Sequence, residues 1–117
     1  MTDKIALITG ASRGLGKSSA LHLAKAGTHI IGTYKSSRDE AETVAREIET
    51  HGVKAAMLPF DAEHEDFDRF TDTIAQTLQS TFGADKFDHL VNNAGLGVHA
   101  AFAETAADQL DTLYKIH

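Results

Sequence analysis

Within Thr9-Gly10-Ala11-Ser12-Arg13-Gly14-Leu15-Gly16, three glycines fall in seven residues, directly after a short apolar run. Glycine lets the backbone turn tightly and lets a ligand approach bare main chain. A helix that starts inside such a turn presents N–H groups with no intrahelical acceptor, and its dipole adds positive potential at the same end. Phosphate is the natural ligand of that arrangement. The candidate contacts are Gly10, Ser12, Arg13, Gly14, Leu15 and Gly16. The competing interpretation is a purely structural turn.

A second chemistry fits the same stretch more loosely. Ala11 is followed after four residues by Gly16-Lys17-Ser18, close to the spacing of a triphosphate loop, and Asp61 at the end of a later apolar run would be its magnesium carboxylate. Against this, alanine stands at position 11 where glycine is usual. Gly10 and Gly14 fall where a dinucleotide loop needs them and are surplus to a triphosphate loop.

The elements that must carry the loop alternate a short apolar run with a longer stretch of helical period, the pattern of a parallel sheet with crossover helices. Ile5 to Thr9 is apolar nearly throughout, as expected of a central strand covered on both faces. Ala20, Leu23, Ala24 and Gly27 then form a stripe of mostly small residues on the first helix, with Gly27 as its stop. His29 to Tyr34 is a second strand. Ser37 and Glu40 have the spacing of a capping box, opening a helix buried through Ala41, Val44, Ala45 and Ile48 and closed by Gly52. Lys54 to Phe60 is a third strand, and Phe67, Phe70, Ile74 and Leu78 give the next helix its core stripe, ending near Phe82-Gly83. Phe87 to Val91 is a fourth strand. A small-residue loop from Asn92 to Ala103 follows, and a last helix, opened by Thr105 and Asp108, places Leu110, Leu113, Tyr114 and His117 on one face. The predicted architecture is a doubly wound α/β fold of Rossmann type, with parallel strands in the order 3-2-1-4 and a single domain over residues 1–117. The fourth strand left as an edge, and a helix without a stop signal, read like a domain cut short.

Composition narrows the partners. A length of 117 residues with 42% hydrophobic and 24% charged residues supports one core and excludes a disordered chain. The net charge of −6 opposes a general nucleic-acid footprint or attraction to an anionic membrane, so any phosphate site must be local. The lack of cysteine fits a reducing cytoplasm, and no run approaches the ~20 apolar residues of a membrane span. Seven histidines without paired helical spacing give no metal site.

Thr9-Gly10-x-x-x-Gly14-x-Gly16 together with Asn92-Asn93-Ala94-Gly95, both at strand ends, resembles the short-chain dehydrogenase/reductase family. The resemblance runs over essentially the whole chain and corresponds to the amino-terminal, cofactor-binding part of a longer domain. It implies an oxidoreductase that moves a hydride between nicotinamide and a carbonyl or alcohol carbon. The family's proton chemistry uses a serine and a Tyr-x-x-x-Lys pair. Tyr34 is followed at the fourth position by Arg38, and Tyr114 has no residue at that spacing, so these 117 residues alone are expected to be inactive. The family's catalytic asparagine corresponds in position to His117.

The resemblance also implies which cofactor is bound. Members that use NAD carry an acidic residue at the end of the second strand, where this sequence has Tyr34-Lys35. Lys35, with Arg13 from the glycine loop, suits the 2′-phosphate of NADP, and Ser36, Ser37 and Arg38 are reserve partners. Asp61 and Ala62 are expected beside the adenine, and Asn93, Ala94 and Gly95 against the adenosine ribose. Family members assemble as homodimers or homotetramers and act on small molecules. A dinucleotide-binding module that senses redox state without catalysis is the alternative from another class.

Overall fold

A computed structural model describes residues 4–12, 14–60 and 67–92. Strand β1 (Ile5–Thr9) leads through the glycine turn into helix α1 (Gly14–Lys25), and β2 (His29–Tyr34) leads into α2 (Arg38–Glu49). Strand β3 (Ala55–Pro59), helix α3 (Phe67–Thr77) with a π-helical turn at Leu78–Phe82, and β4 (His89–Asn92) follow. The four strands form one parallel sheet in the order β3-β2-β1-β4, as the alternation of patterns predicts.

The uninterrupted apolar run of β1 is explained by two cores, one on each face of the sheet. Ile5 and Leu7 join Ile31, Phe60, Phe70, Ile74, Leu78 and Phe87 on the α3 side. Ala6 and Ile8 join Ala20, Ala24, Ile30, Val44 and Ile48 on the side of α1 and α2. Alternate side chains of a strand point to opposite faces, so a strand buried on both sides is apolar at successive positions, here Ile5 to Ile8. Each fully buried aliphatic side chain here contributes about 1.5–3 kcal/mol.

Helix α1 lies on the sheet through Gly16, Ala20 and Ala24, spaced four apart, while Leu23 of the expected stripe is only partly buried at its margin. Gly27 adopts φ 94° and ends the helix: its N–H donates to Ala24 O at 3.0 Å and that of Thr28 to Leu23 O at 3.0 Å. Helix α2 buries Ala41, Val44 and Ile48. The expected capping box does not form, because Ser37 stands at φ −92°, ψ 72°, outside the extended region from which a serine hydroxyl caps a helix, and it makes no side-chain cap bond.

Strand β3 is one residue shorter at each end than the apolar run suggests, and β4 begins two residues later than expected. Phe87 is fully buried ahead of it. The stripe Phe70, Ile74 and Leu78 is buried as expected, but the helix closes through the wider π-turn, with Ala84 N–H donating to Leu78 O at 3.0 Å and Gly83 left-handed at φ 62°. The loop and helix expected over 92–117 lie outside the described residues beyond Asn92. No helix among the described residues is long and apolar enough to cross a membrane.

Candidate functional site

All four strands run in the same direction, so their carboxyl ends share one rim. The chain leaves β1 and builds outward through β2 and β3, then returns to the other side of β1 as β4. The glycine turn therefore stands at the point where strand order reverses, the place at which open α/β sheets form their ligand crevice. Thr9 and Asn92 are register partners, so the last residue of β4 is level with the residue that precedes Gly10.

Two glycines of the turn take left-handed backbone, Gly10 at φ 66° and Gly14 at φ 62°. Gly16 is required for a different reason. It is buried in the first turn of α1, and a Cβ there would overlap the Gly10 carbonyl oxygen and come within 2.7 Å of the carbonyl carbon. The helix thus begins in direct contact with the turn. The N–H groups of residues 14–16, in its first turn, have no intrahelical acceptor and start at the rim. Among the described residues, nothing lies within 4 Å of a Cβ built at Gly14, and Leu15 is 80% exposed.

The turn is anchored to β2. Gly10 N–H donates to Thr33 Oγ1 at 3.0 Å, and Ala11 N–H donates to Thr33 O at 2.9 Å. Ala11 is buried against Gly32, where a Cβ would lie 2.8 Å from the Ala11 Cβ and 2.7 Å from Met57 Sδ. Neither Thr33 nor Gly32 belongs to a site motif in the sequence. Their one signal is the lone glycine inside the apolar strand His29-Ile30-Ile31-Gly32-Thr33-Tyr34, which marks a close approach of another chain segment.

Tyr34 is half-buried at the end of β2, its carbonyl accepting from Phe60 N–H at 2.8 Å, and Lys35 beyond it is exposed. Ser36, Ser37, Arg38, Asp39 and Glu40 line an open depression of about 350 Å³ at the start of α2. Beside it lies an open cleft of about 410 Å³ between α1 and α2, lined by Ser12, Gly14, Lys17, Asp39, Glu40, Thr43 and Val44. Lys17 Nζ is 3.7 Å from Glu47 Oε1, so its charge is directed across to α2. Arg38 Nε is held by Glu42 Oε1 at 3.0 Å. Both pairs are solvent-exposed and contribute little to stability.

The structure thus gathers Gly10, Ser12, Gly14, Leu15, Gly16, Tyr34 and Lys35 along one stretch of rim. Arg13, Asp61, Ala62, Asn93, Ala94, Gly95 and His117 lie outside the described residues. Among the described residues no group of three His, Cys, Asp or Glu side chains is placed to hold a metal.

A parallel sheet whose order reverses beside a glycine turn leading into a helix defines a Rossmann-type fold of the nucleotide-binding class. A family model described as short chain dehydrogenase matches residues 4–117, and the chain belongs to the short-chain dehydrogenase/reductase family. The 3-oxoacyl-(acyl-carrier-protein) reductase of Staphylococcus epidermidis is 42% identical over 94 residues, covering 80% of this chain and 36% of the relative. The angucycline C-6 ketoreductase LanV, solved with bound NADP, superposes with a TM-score of 0.72 at 37% identity, covering 80% of this chain and 37% of that one. Carveol dehydrogenase from Mycobacterium avium, solved with NAD, superposes with a TM-score of 0.68 at 25% identity, over 79% of this chain and 35% of that one. The matched stretch of the chain spans about a third of the length of these proteins. Membership of this family sets aside the triphosphate-loop alternative, in agreement with the direction of Lys17.

Proposed function

We propose that residues 1–117 are the NADP-binding part of an oxidoreductase, the amino-terminal half of a longer dehydrogenase/reductase domain. The observation that carries this is the contact of Gly16 with Gly10, which sets the first turn of α1, with its unpaired amides, directly on the glycine turn at the sheet rim. The open surroundings of Gly14 fit a pyrophosphate laid against bare backbone.

Preference for the 2′-phosphorylated cofactor is supported by Lys35, which occupies the place where an acidic residue would receive a ribose diol. The start of α2 adds the Ser36 and Ser37 hydroxyls at a helix N-terminus that Ser37 does not cap. Arg13 supplies a second cation from the turn. Asp61 and Ala62 are assigned to the adenine, and Asn93, Ala94 and Gly95 to its ribose. When bound, the nicotinamide accepts or supplies the hydride exchanged with a carbonyl or alcohol substrate. This chain's own residues bind and orient the cofactor. They contain no Tyr-x-x-x-Lys pair to move the accompanying proton, so binding without turnover is the expected behaviour of the 117 residues. In the intact enzyme the substrate is a small molecule, the assembly a homodimer or homotetramer, and the compartment the cytoplasm.

Isothermal titration of the polypeptide with NADPH and NADH tests the assignment. NADPH should bind at least about tenfold more tightly than NADH, the worth of one charge-assisted contact. No heat with either nucleotide would end it.

A further inference from the structure

We propose that Thr33 is the positioning residue of the glycine turn: it consumes the first two amides of the turn so that the pyrophosphate is left to those further along. This rests on the assignment of a dinucleotide to the turn. Gly10 N–H ends on Thr33 Oγ1 and Ala11 N–H on Thr33 O, at 3.0 and 2.9 Å, and Thr33 itself is only 2% exposed. One buried residue therefore holds two consecutive amides of the neighbouring segment, one through its side chain and one through its backbone. A turn rich in glycine has many accessible conformations, and a loop that must present amides to an anion binds weakly in proportion to the time it spends elsewhere. Thr33 removes that freedom.

The arrangement also decides which amides contact phosphate. A donor already bonded inside the protein offers nothing to a ligand, so Gly10 and Ala11 serve the turn's shape. The anion falls to Ser12 and the start of α1. Thr33 contacts no cofactor atom in this assignment and acts only through the turn.

Thr33→Val keeps the branched shape and the backbone carbonyl but removes the side-chain acceptor, whereas Thr33→Ser keeps it. The expected result by calorimetry, well below the melting temperature, is a loss of roughly tenfold in affinity for NADPH and NADH alike, with the serine variant within about twofold of the parent. A purely structural role would lower the melting temperature and leave these affinities unchanged, which would overturn the proposal, as would a loss confined to NADPH. Should the valine variant fail to fold, amide exchange on the unsubstituted protein decides. Gly10 and Ala11 N–H should be protected without ligand and unaltered by NADPH, and rapid exchange at Gly10 would overturn the proposal. Failure of the unsubstituted protein to bind either nucleotide defeats the dinucleotide assignment itself, and the proposal with it.

Discussion

Gly16 rests directly on the carbonyl group of Gly10, with no room between them for a methyl group. The obstructing atoms are backbone, which cannot swing aside as a flexible side chain would. Gly16→Ala must therefore push α1 off the turn or break the turn, and overpacking of this kind costs about 1–3 kcal/mol or more. Gly14→Ala is a contrasting case: nothing lies near its missing Cβ, so the penalty is the left-handed backbone at φ 62°, roughly 1–2 kcal/mol. Chemical denaturation with parallel NADPH titration should show Gly16→Ala losing both stability and binding. Gly14→Ala should fold with the smaller stability loss. Equal behaviour of the two variants would refute the steric account.

Charge at the end of β2 makes a separate prediction. If Lys35 and Arg13 receive a 2′-phosphate, the double alanine variant should bind NADPH at least about tenfold more weakly while NADH changes little. Because Lys35 is exposed, the difference should shrink as salt rises. Titrations of both nucleotides at low and high ionic strength measure this. Parallel losses for the two cofactors would show that these cations serve the pyrophosphate or the fold instead.

The fold was largely legible in the sequence because the elements that matter are buried on one stripe or two faces. β1, with both faces covered, had to be apolar from Ile5 to Ile8, and both β1 and β2 came out with the expected bounds. The small-residue face of α1 followed from Ala20 and Ala24, though Leu23 sits at its margin and Gly16 completes it. Legibility failed where geometry depends on partners distant in sequence. Ser37 and Glu40 have the spacing of a capping box, but spacing cannot fix the φ and ψ of Ser37, and the box is absent. Thr33 carries no sequence mark of its task, because a threonine near the end of a strand is ordinary until the turn it holds is in place.

Gly32 tests how far a tight contact can relax. A Cβ there would meet the Met57 sulfur at 2.7 Å and the Ala11 Cβ at 2.8 Å. Methionine adapts readily, so that half of the clash is inexpensive. Ala11 is fixed by its bond to Thr33 and cannot retreat without moving the turn. Gly32→Ala is therefore expected to destabilise by about 1–3 kcal/mol and to weaken NADPH binding as well. Shortening Met57 to alanine in the same chain should therefore recover neither the stability nor the binding. If the double variant regains both, the contact with Ala11 does not constrain the turn.

At the opposite end of the sheet, Asp88 ties β4 to β1 before the regular ladder begins. Its Oδ2 accepts from Ile5 N–H at 2.9 Å, and its own N–H donates to Ile5 O at 2.7 Å. The side chain thus supplies an acceptor for the first residue of a strand whose next residue already pairs with His89. Asp88→Ala removes it and leaves a partly buried amide without that bond, at a cost of about 1–3 kcal/mol. Asp88→Asn keeps a carbonyl oxygen that can accept, although without charge, and should cost about half as much. For a domain near this size, 1 kcal/mol corresponds to a melting shift of roughly 4–8 °C, which thermal denaturation resolves. Because Asp88 lies at the far end of the strands from the glycine turn, both variants should keep their affinity for NADPH at temperatures where they remain folded. Loss of binding in the asparagine variant would mean that the pairing of β1 with β4 sets the geometry of the turn, not merely the stability of the sheet.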